Sequence, residues 1–321
     1  GLITKSQHTS RFYNVTLHNV TVRGTTRVGG VYGSIENFAF IEDVNITGLN
    51  VTSYTTSGNI YLGGVIGDTG NSGSDGANLT NVHVSGNISA NKVSSTSQAK
   101  VGGLVGEMYY LKKIINSSFT GTVNSTGDYV GGIVGYKYMY ADVWNTYSKG
   151  TIKGNDYVGG LAGYIDYPRG IWNNTYSWMN VTGNDYVGGL FGMQFRSSYT
   201  FDLHNSYYAG NLSNETANAG GIGGGFSSVA EVSGVFYDST INPNINSTGN
   251  GENAGSSANT TAILQTQSTF TNQGWDFTNI WHMNDGSSYP HLLYEILPPI
   301  PDTTSPTFTE YPANLTIGPS E

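Results

Sequence analysis

The chain contains no cysteine among its 321 residues, which removes disulfide staples, thiolate metal sites and cysteine nucleophiles at once. Charge is scarce too: 11% of residues carry it, and the 13 lysines and arginines are scattered singly among 22 acidic residues. A net charge of −9 without a basic cluster argues against nucleic acid and against an anionic membrane surface as partners. Nine prolines and no Gly-X-Y period exclude collagen. No apolar run reaches the roughly 18 residues of a membrane span, and no basic-then-apolar start marks a signal peptide. The segment therefore reads as soluble, and any export signal or anchor is expected outside it.

What the chain has in excess is glycine, 45 residues, and tyrosine, 23. The tyrosines supply surface to bury, which a disordered chain lacks. The glycines recur in one phrase: VGGVYG at Val28, LGGVIG at Leu62, VGGLVG at Val101, VGGIVG at Val130, VGGLAG at Val158 and VGGLFG at Val187. A weakened copy, AGGIGG, follows at Ala219. The intervals are 34, 39, 29, 28, 29 and 32 residues, so the unit is 28–29 with loop insertions. A repeat of this length means a solenoid or an array.

Within a unit, short alternating pieces suit strands, and Gly, Asn and Asp between them suit corners. No window of ten residues has a helical period. The fold class expected is all-β: a right-handed parallel β-helix (β-solenoid) with three short strands per coil of about 28–29 residues. Val101, Leu104 and Val123 are expected to face inward. The glycine pairs are expected to allow positive φ at a corner or close approach of stacked backbones. A propeller blade needs more residues, and a sandwich has no such internal period.

The phrase at this spacing resembles the GLUG repeat, named for that signature. Such repeats occur in large bacterial and archaeal surface proteins, including adhesin-like chains and the non-catalytic region of some immunoglobulin-A peptidases. The segment after the last unit is similar to the one that closes such arrays, with Gln265, Trp275, Trp281 and the Tyr289-Pro290 pair in the family order. The resemblance covers roughly residues 1–297. It implies a β-solenoid in an extracellular setting and brings no catalytic residues.

The organisation expected is a solenoid over 1–261, a closing or capping segment over 262–297, a Pro-rich linker over 298–306, and over 307–321 the first strand of a truncated immunoglobulin-like or cadherin-like module. Gly1-Leu2-Ile3 aligns with Gly30-Val31-Tyr32, so the chain is expected to begin in mid-coil. A cut end offers unpaired strand edges and hence a route to self-association.

Three chemical signals stand out. Fifteen N-x-S/T sequons, about twice the chance number, begin at Asn14, Asn19, Asn45, Asn50, Asn78, Asn87, Asn116, Asn124, Asn173, Asn180, Asn211, Asn214, Asn246, Asn259 and Asn314. They are candidate sites for covalent N-glycans if the source is archaeal or eukaryotic; the plainer reading is that strand-and-turn repeats use Asn, Ser and Thr anyway, some of them in a stacked amide ladder. Asp128, Asp156 and Asp185 precede the glycine phrase and should stack in an acidic column. Such a column could hold Ca2+ or simply cap a corner, and no metal or other cofactor is called for. Aromatic residues six to ten positions after each second glycine (Tyr109, Tyr110, Tyr138, Tyr140, Tyr167, Phe195 and Tyr199) should form a strip. Tyr109, Tyr138, Tyr140, Tyr167, Phe195 and Tyr199 are taken as candidate ligand-binding residues. A second column, Trp144, Trp172 and Phe201, reads as structural.

Catalysis has little support. Six histidines show no H-E-x-x-H and no mutual spacing, and acidic residues are sparse. The function expected is a non-catalytic extracellular structural or adhesive segment of a large surface or filament protein, presenting a glycosylated rod to surface glycans or proteins. The alternatives are a carbohydrate-binding module using the aromatic strip and a polysaccharide-active β-helix enzyme.

Overall fold

The computed structural model describes residues 1–54, 58–70, 76–91, 98–110, 112–167, 169–195, 201–214, 218–226, 230–251 and 255–296. The chain is all-β with parallel sheets, in keeping with a β-solenoid. Tyr199, Asn314, the side chain of Asn214 and the expected linker and module after residue 297 lie outside the described residues.

Three sheets are wound from successive passes of the chain, and neighbouring strands belong to successive repeats. A seven-stranded sheet holds the Val-Gly-Gly steps, from Arg27–Gly29 to Ala219–Gly220. An eight-stranded sheet holds the strands just after them, from Ile3–Ser6 to Gly223–Phe226. The third, of twelve strands, carries the rest of each repeat. Register follows the glycine phrase: Val28 pairs with Leu62, then Val101, Val130, Val158, Val187 and Ala219 in turn. Ile3 pairs with Tyr32, the offset expected for a chain whose first residues repeat the phrase. Val101, Leu104 and Val123 are fully buried.

The expectation of three short strands needs correction. In each of the better-formed passes the third strand is long: Phe38–Ser53, Gly76–Ala90, Asp142–Lys153 and Ile171–Gly183. It bends instead of breaking because one residue per pass takes the left-handed conformation. Asn14, Asp43, Asn81, Asn116, Asn145, Asn174 and Asn205 all have φ between 45° and 56°. Asparagine and aspartate tolerate this region because their short side chains can hydrogen-bond locally. They also bond to one another across passes: Asn145 Nδ2 donates to Asn116 Oδ1 at 3.0 Å and Asn174 Nδ2 to Asn145 Oδ1 at 3.1 Å.

Replacing Asn145 by Ala removes both bonds and leaves a side chain poorly suited to that φ, so a loss of about 2–3 kcal/mol is expected. Asn145→Gly, which relieves the backbone but not the ladder, should recover about 1 kcal/mol of it. Urea midpoints of the two variants measure the difference.

The glycine phrase works by close approach alone. None of its paired glycines has positive φ. A Cβ on Gly102 would lie 2.0 Å from the Val105 carbonyl oxygen, and one on Gly103 would lie 2.1 Å from the Gly132 carbonyl oxygen of the next pass. The same collisions recur from Gly29 to Gly220. At the glycine steps the seven- and eight-stranded sheets therefore meet backbone to backbone, with no room there for a side chain.

The closing segment lies along the side of the stack. Two short helices, Thr261–Leu264 and Gln267–Thr271, begin it. It then runs back over the outer face of the long sheet, covering the column Tyr147, Tyr176, Tyr207 and Phe236 with Phe270, Trp275, Trp281 and Leu292. Trp281 Nε1 reaches Asn174 Oδ1 of the ladder at 3.3 Å, and Tyr294 OH donates to the carbonyls of Ser117 and Asn145. An apolar column on an otherwise polar face has to be covered, and this strap covers it.

Candidate functional site

The aromatic strip forms at the corner between the eight-stranded and the long sheet, but only partly as expected. Tyr109 and Tyr138 stack at 4.3 Å between ring centroids, and Tyr167 meets Tyr138 edge-on at 4.8 Å. The rings thus spend much of their face area on one another. Tyr140 stands apart, 57% exposed, with the Arg169 guanidinium over its ring and bonded to its hydroxyl. Phe195 has its ring 6.1 Å from Tyr164. Of the five expected residues that are described, ring contacts join Tyr109, Tyr138 and Tyr167.

The acidic column exists. Asp156 pairs in register with Asp185, and each carboxylate accepts from the amide of the following pass: Asp128 from Asn155, Asp156 from Asn184 and Asp185 from Asn218, at 2.8–3.1 Å. These bonds supply what a carboxylate at a corner needs. Among the described residues no three His, Asp or Glu side chains come together as a metal cluster.

The sequons divide by exposure. Asn19, Asn45, Asn50, Asn87, Asn124, Asn180, Asn211 and Asn246 are exposed, whereas Asn14, Asn78, Asn116, Asn173 and Asn259 are half-buried. Asn14 and Asn116 occupy the left-handed bend. Strand alternation explains the exposed set: in Asn50-Val51-Thr52, Asn87-Ile88-Ser89 and Asn180-Val181-Thr182 the middle residue is core and the two flanking it point out. An N-x-S/T spacing fits an outward-inward-outward strand by construction.

The column expected from Trp144, Trp172 and Phe201 does not form. Trp172 pairs with Val143 and is fully buried, while Trp144 pairs with Asn173 and is 40% exposed. Phe201 pairs with Ala230, two residues before Leu203, the partner of Trp172. One extra residue before the bend, Asn173, shifts the register, and in a strand a shift of one changes the face.

Two features escaped the sequence reading. Along the corner between the two short sheets, Arg27 pairs with Tyr61 and Tyr61 with Lys100 in one column, facing Asp68 and Glu107 in the other. Arg27 Nε bonds Asp68 at 2.7 Å, Lys100 bonds Glu107, and the Lys100 ammonium lies 4.0 Å from the Tyr136 centroid. Burial pushes the Glu107 carboxyl up, against the pull of Lys100. In later passes tyrosines take over: Tyr129, Tyr157 and Tyr186 stack at 5.2 Å, edge-on to Tyr136 and Tyr164. The residue just before each Val-Gly-Gly step was the available signal. The second feature is Lys137, fully buried, whose ammonium donates to the carbonyls of Met139 and Arg169 at 2.6 and 2.7 Å. Burial lowers its pKa to about 7.

No family model matches the chain, and no solved structure matches it. A protein named as a Gly-rich membrane protein, from Evansella cellulosilytica, is 34% identical over 100 residues, a match that covers 30% of this chain. The chain spans only 11% of the length of that relative, to which it is similar in this stretch alone.

Proposed function

We propose that the chain is a non-catalytic segment of a large extracellular surface or filament protein, a right-handed β-solenoid of the GLUG kind whose outer face carries N-linked glycans. The observation that supports this reading is the outward row Asn50, Asn87, Thr122, Thr151, Asn180 and Asn211. Successive passes stack these residues in register on one face. Four of the six are sequon asparagines. Parallel crossovers are right-handed in about 98% of cases, which supports the handedness. A ladder paired on both sides along its length makes a stiff rod, and stiffness without disulfides suits a spacer or a display surface.

The test is the intact mass of native material before and after enzymatic or chemical deglycosylation. A mass loss of one or more glycan units is the expected result; an unmodified mass on native material removes the glycan-bearing part of the proposal. A second reading, recognition of a partner glycan by the tyrosine strip, is favoured by the exposed Tyr140–Arg169 pair. Binding on a glycan array that survives Tyr138→Ala, Tyr140→Ala and Tyr167→Ala together counts against it.

A further inference from the structure

We propose that Trp144 is the stacking platform of a binding site for a neutral oligosaccharide, separate from the tyrosine strip. Three of the five tryptophans, Trp172, Trp275 and Trp281, are buried, and Trp178 packs edge-on against Tyr289 and His291 of the strap. Trp144 is 40% exposed, and among the described residues no aromatic ring lies against its indole. It stands on the outer face of the long sheet just before the ladder bend, in register between Ile115 and Asn173. Its indole is thus partly open to solvent and unstacked, whereas the rings of Tyr109 and Tyr138 are stacked on each other.

The surroundings are rich in amides. Asn145 follows Trp144 in the chain and, with Asn116 and Asn279, lines a neighbouring cleft of about 190 Å³ between the ladder and the strap, of which Trp144 itself is not a wall. Asn173, the register partner of Trp144, has a buried Oδ1 without any hydrogen-bond partner. A shielded acceptor left unmet costs about 1–3 kcal/mol, which a donor brought by a ligand would restore once the side chain turns toward it. The neighbouring row sets one cation, Lys113, in register with one carboxylate, Asp142.

An apolar ring with neutral amides in the neighbouring positions matches a sugar ring, whose C–H face is apolar and whose edge is hydroxyl. It matches a charged polymer poorly. Indole offers the largest amphipathic surface of any side chain for such a contact.

The experiment titrates the whole 321-residue chain with cellohexaose, xylohexaose, mannohexaose and chitohexaose, followed by tryptophan fluorescence and calorimetry. At least one should bind, with affinity reduced roughly tenfold or more by Trp144→Ala and several-fold by Asn173→Ala. Trp144→Phe should keep part of it, and Thr151→Ala, an exposed position outside both sites, all of it. Trp144 is exposed, so the variants should melt with the wild type, which circular dichroism checks. The proposal is overturned if none of the four sugars binds, if Trp144→Ala leaves affinity unchanged, or if only a polyanion such as polygalacturonate binds. Loss of binding in the Tyr138→Ala, Tyr140→Ala, Tyr167→Ala variant alone would assign the site to the strip instead.

Discussion

Gly132→Ala should unfold most of the stack, although it adds a single methyl group. That carbon would sit 2.0 Å from the Gly160 carbonyl oxygen of the next pass and 2.9 Å from Ser148. Neither neighbour can withdraw cheaply. The carbonyl belongs to a backbone held by hydrogen bonds on both sides, with Gly132 N donating to Gly159 O and Gly160 N to Gly188 O. Ser148 is itself bonded to the Gly160 carbonyl and to Ser177. Relief requires the passes to separate, which breaks the ladder and opens the core around Ile133 and Leu161. We expect a loss of more than about 4 kcal/mol, in the range reserved for severe overpacking. Thr151→Ala, on an exposed outward position nearby, should stay within about 0.5 kcal/mol of wild type. Urea denaturation followed by circular dichroism compares them. A Gly132→Ala midpoint close to wild type would mean that the passes are not in backbone contact at this step.

Stability should rise from neutral pH to about pH 10 and then fall steeply. In the unfolded chain Lys137 holds its proton up to its ordinary value of 10.5, but in the fold only up to about 7. Between those values the unfolded state binds more protons, so raising the pH favours the fold. The window corresponds to roughly 5 kcal/mol. The tyrosines act in the opposite sense. Burial pushes Tyr147 up to about 12, and holds Tyr176, Tyr207, Tyr208 and Tyr294 well above the ordinary value of 10. Their contribution is fully present below pH 10 and disappears as the unfolded chain begins to ionise phenols that the fold keeps neutral. Urea midpoints measured from pH 6 to 11 should trace this dome, and phenolate absorbance should appear together with unfolding. Lys137→Met should flatten the rising limb without moving the alkaline one. A wild-type midpoint that stays constant from pH 7 to 10 would show that Lys137 is not buried as described.

Much of the candidate chemistry was legible for one reason: a repeat in register turns equal sequence spacing into a column in space. Asp128, Asp156 and Asp185 line up as their spacing predicts, and the Asn155, Asn184 and Asn218 amides that satisfy them were visible beside them. Legibility failed where spacing and register part. Trp144 and Trp172 both precede an asparagine and look equivalent, yet the second asparagine of Asn173-Asn174 sends one indole out and the other into the core. The tyrosine strip was legible in part, through Tyr109, Tyr138 and Tyr167. Phe195 sits at a suitable position in the chain, but its ring settles against Tyr164.

By itself the sequence determined the period, the parallel register and the inward valines and leucines, because a chain that repeats every 28–29 residues can bury its apolar positions by stacking each unit on the last. It also marked the glycines as places without room for a side chain. Only the tertiary structure decided what those glycines approach, since two sheets meeting backbone to backbone leave no trace except an absence of side chains. The path of the closing segment was likewise a tertiary matter. Its aromatic residues could have covered the end of the stack. They lie along its side because Tyr147, Tyr176, Tyr207 and Phe236 form an apolar column there, and apolar surface is covered where it is largest.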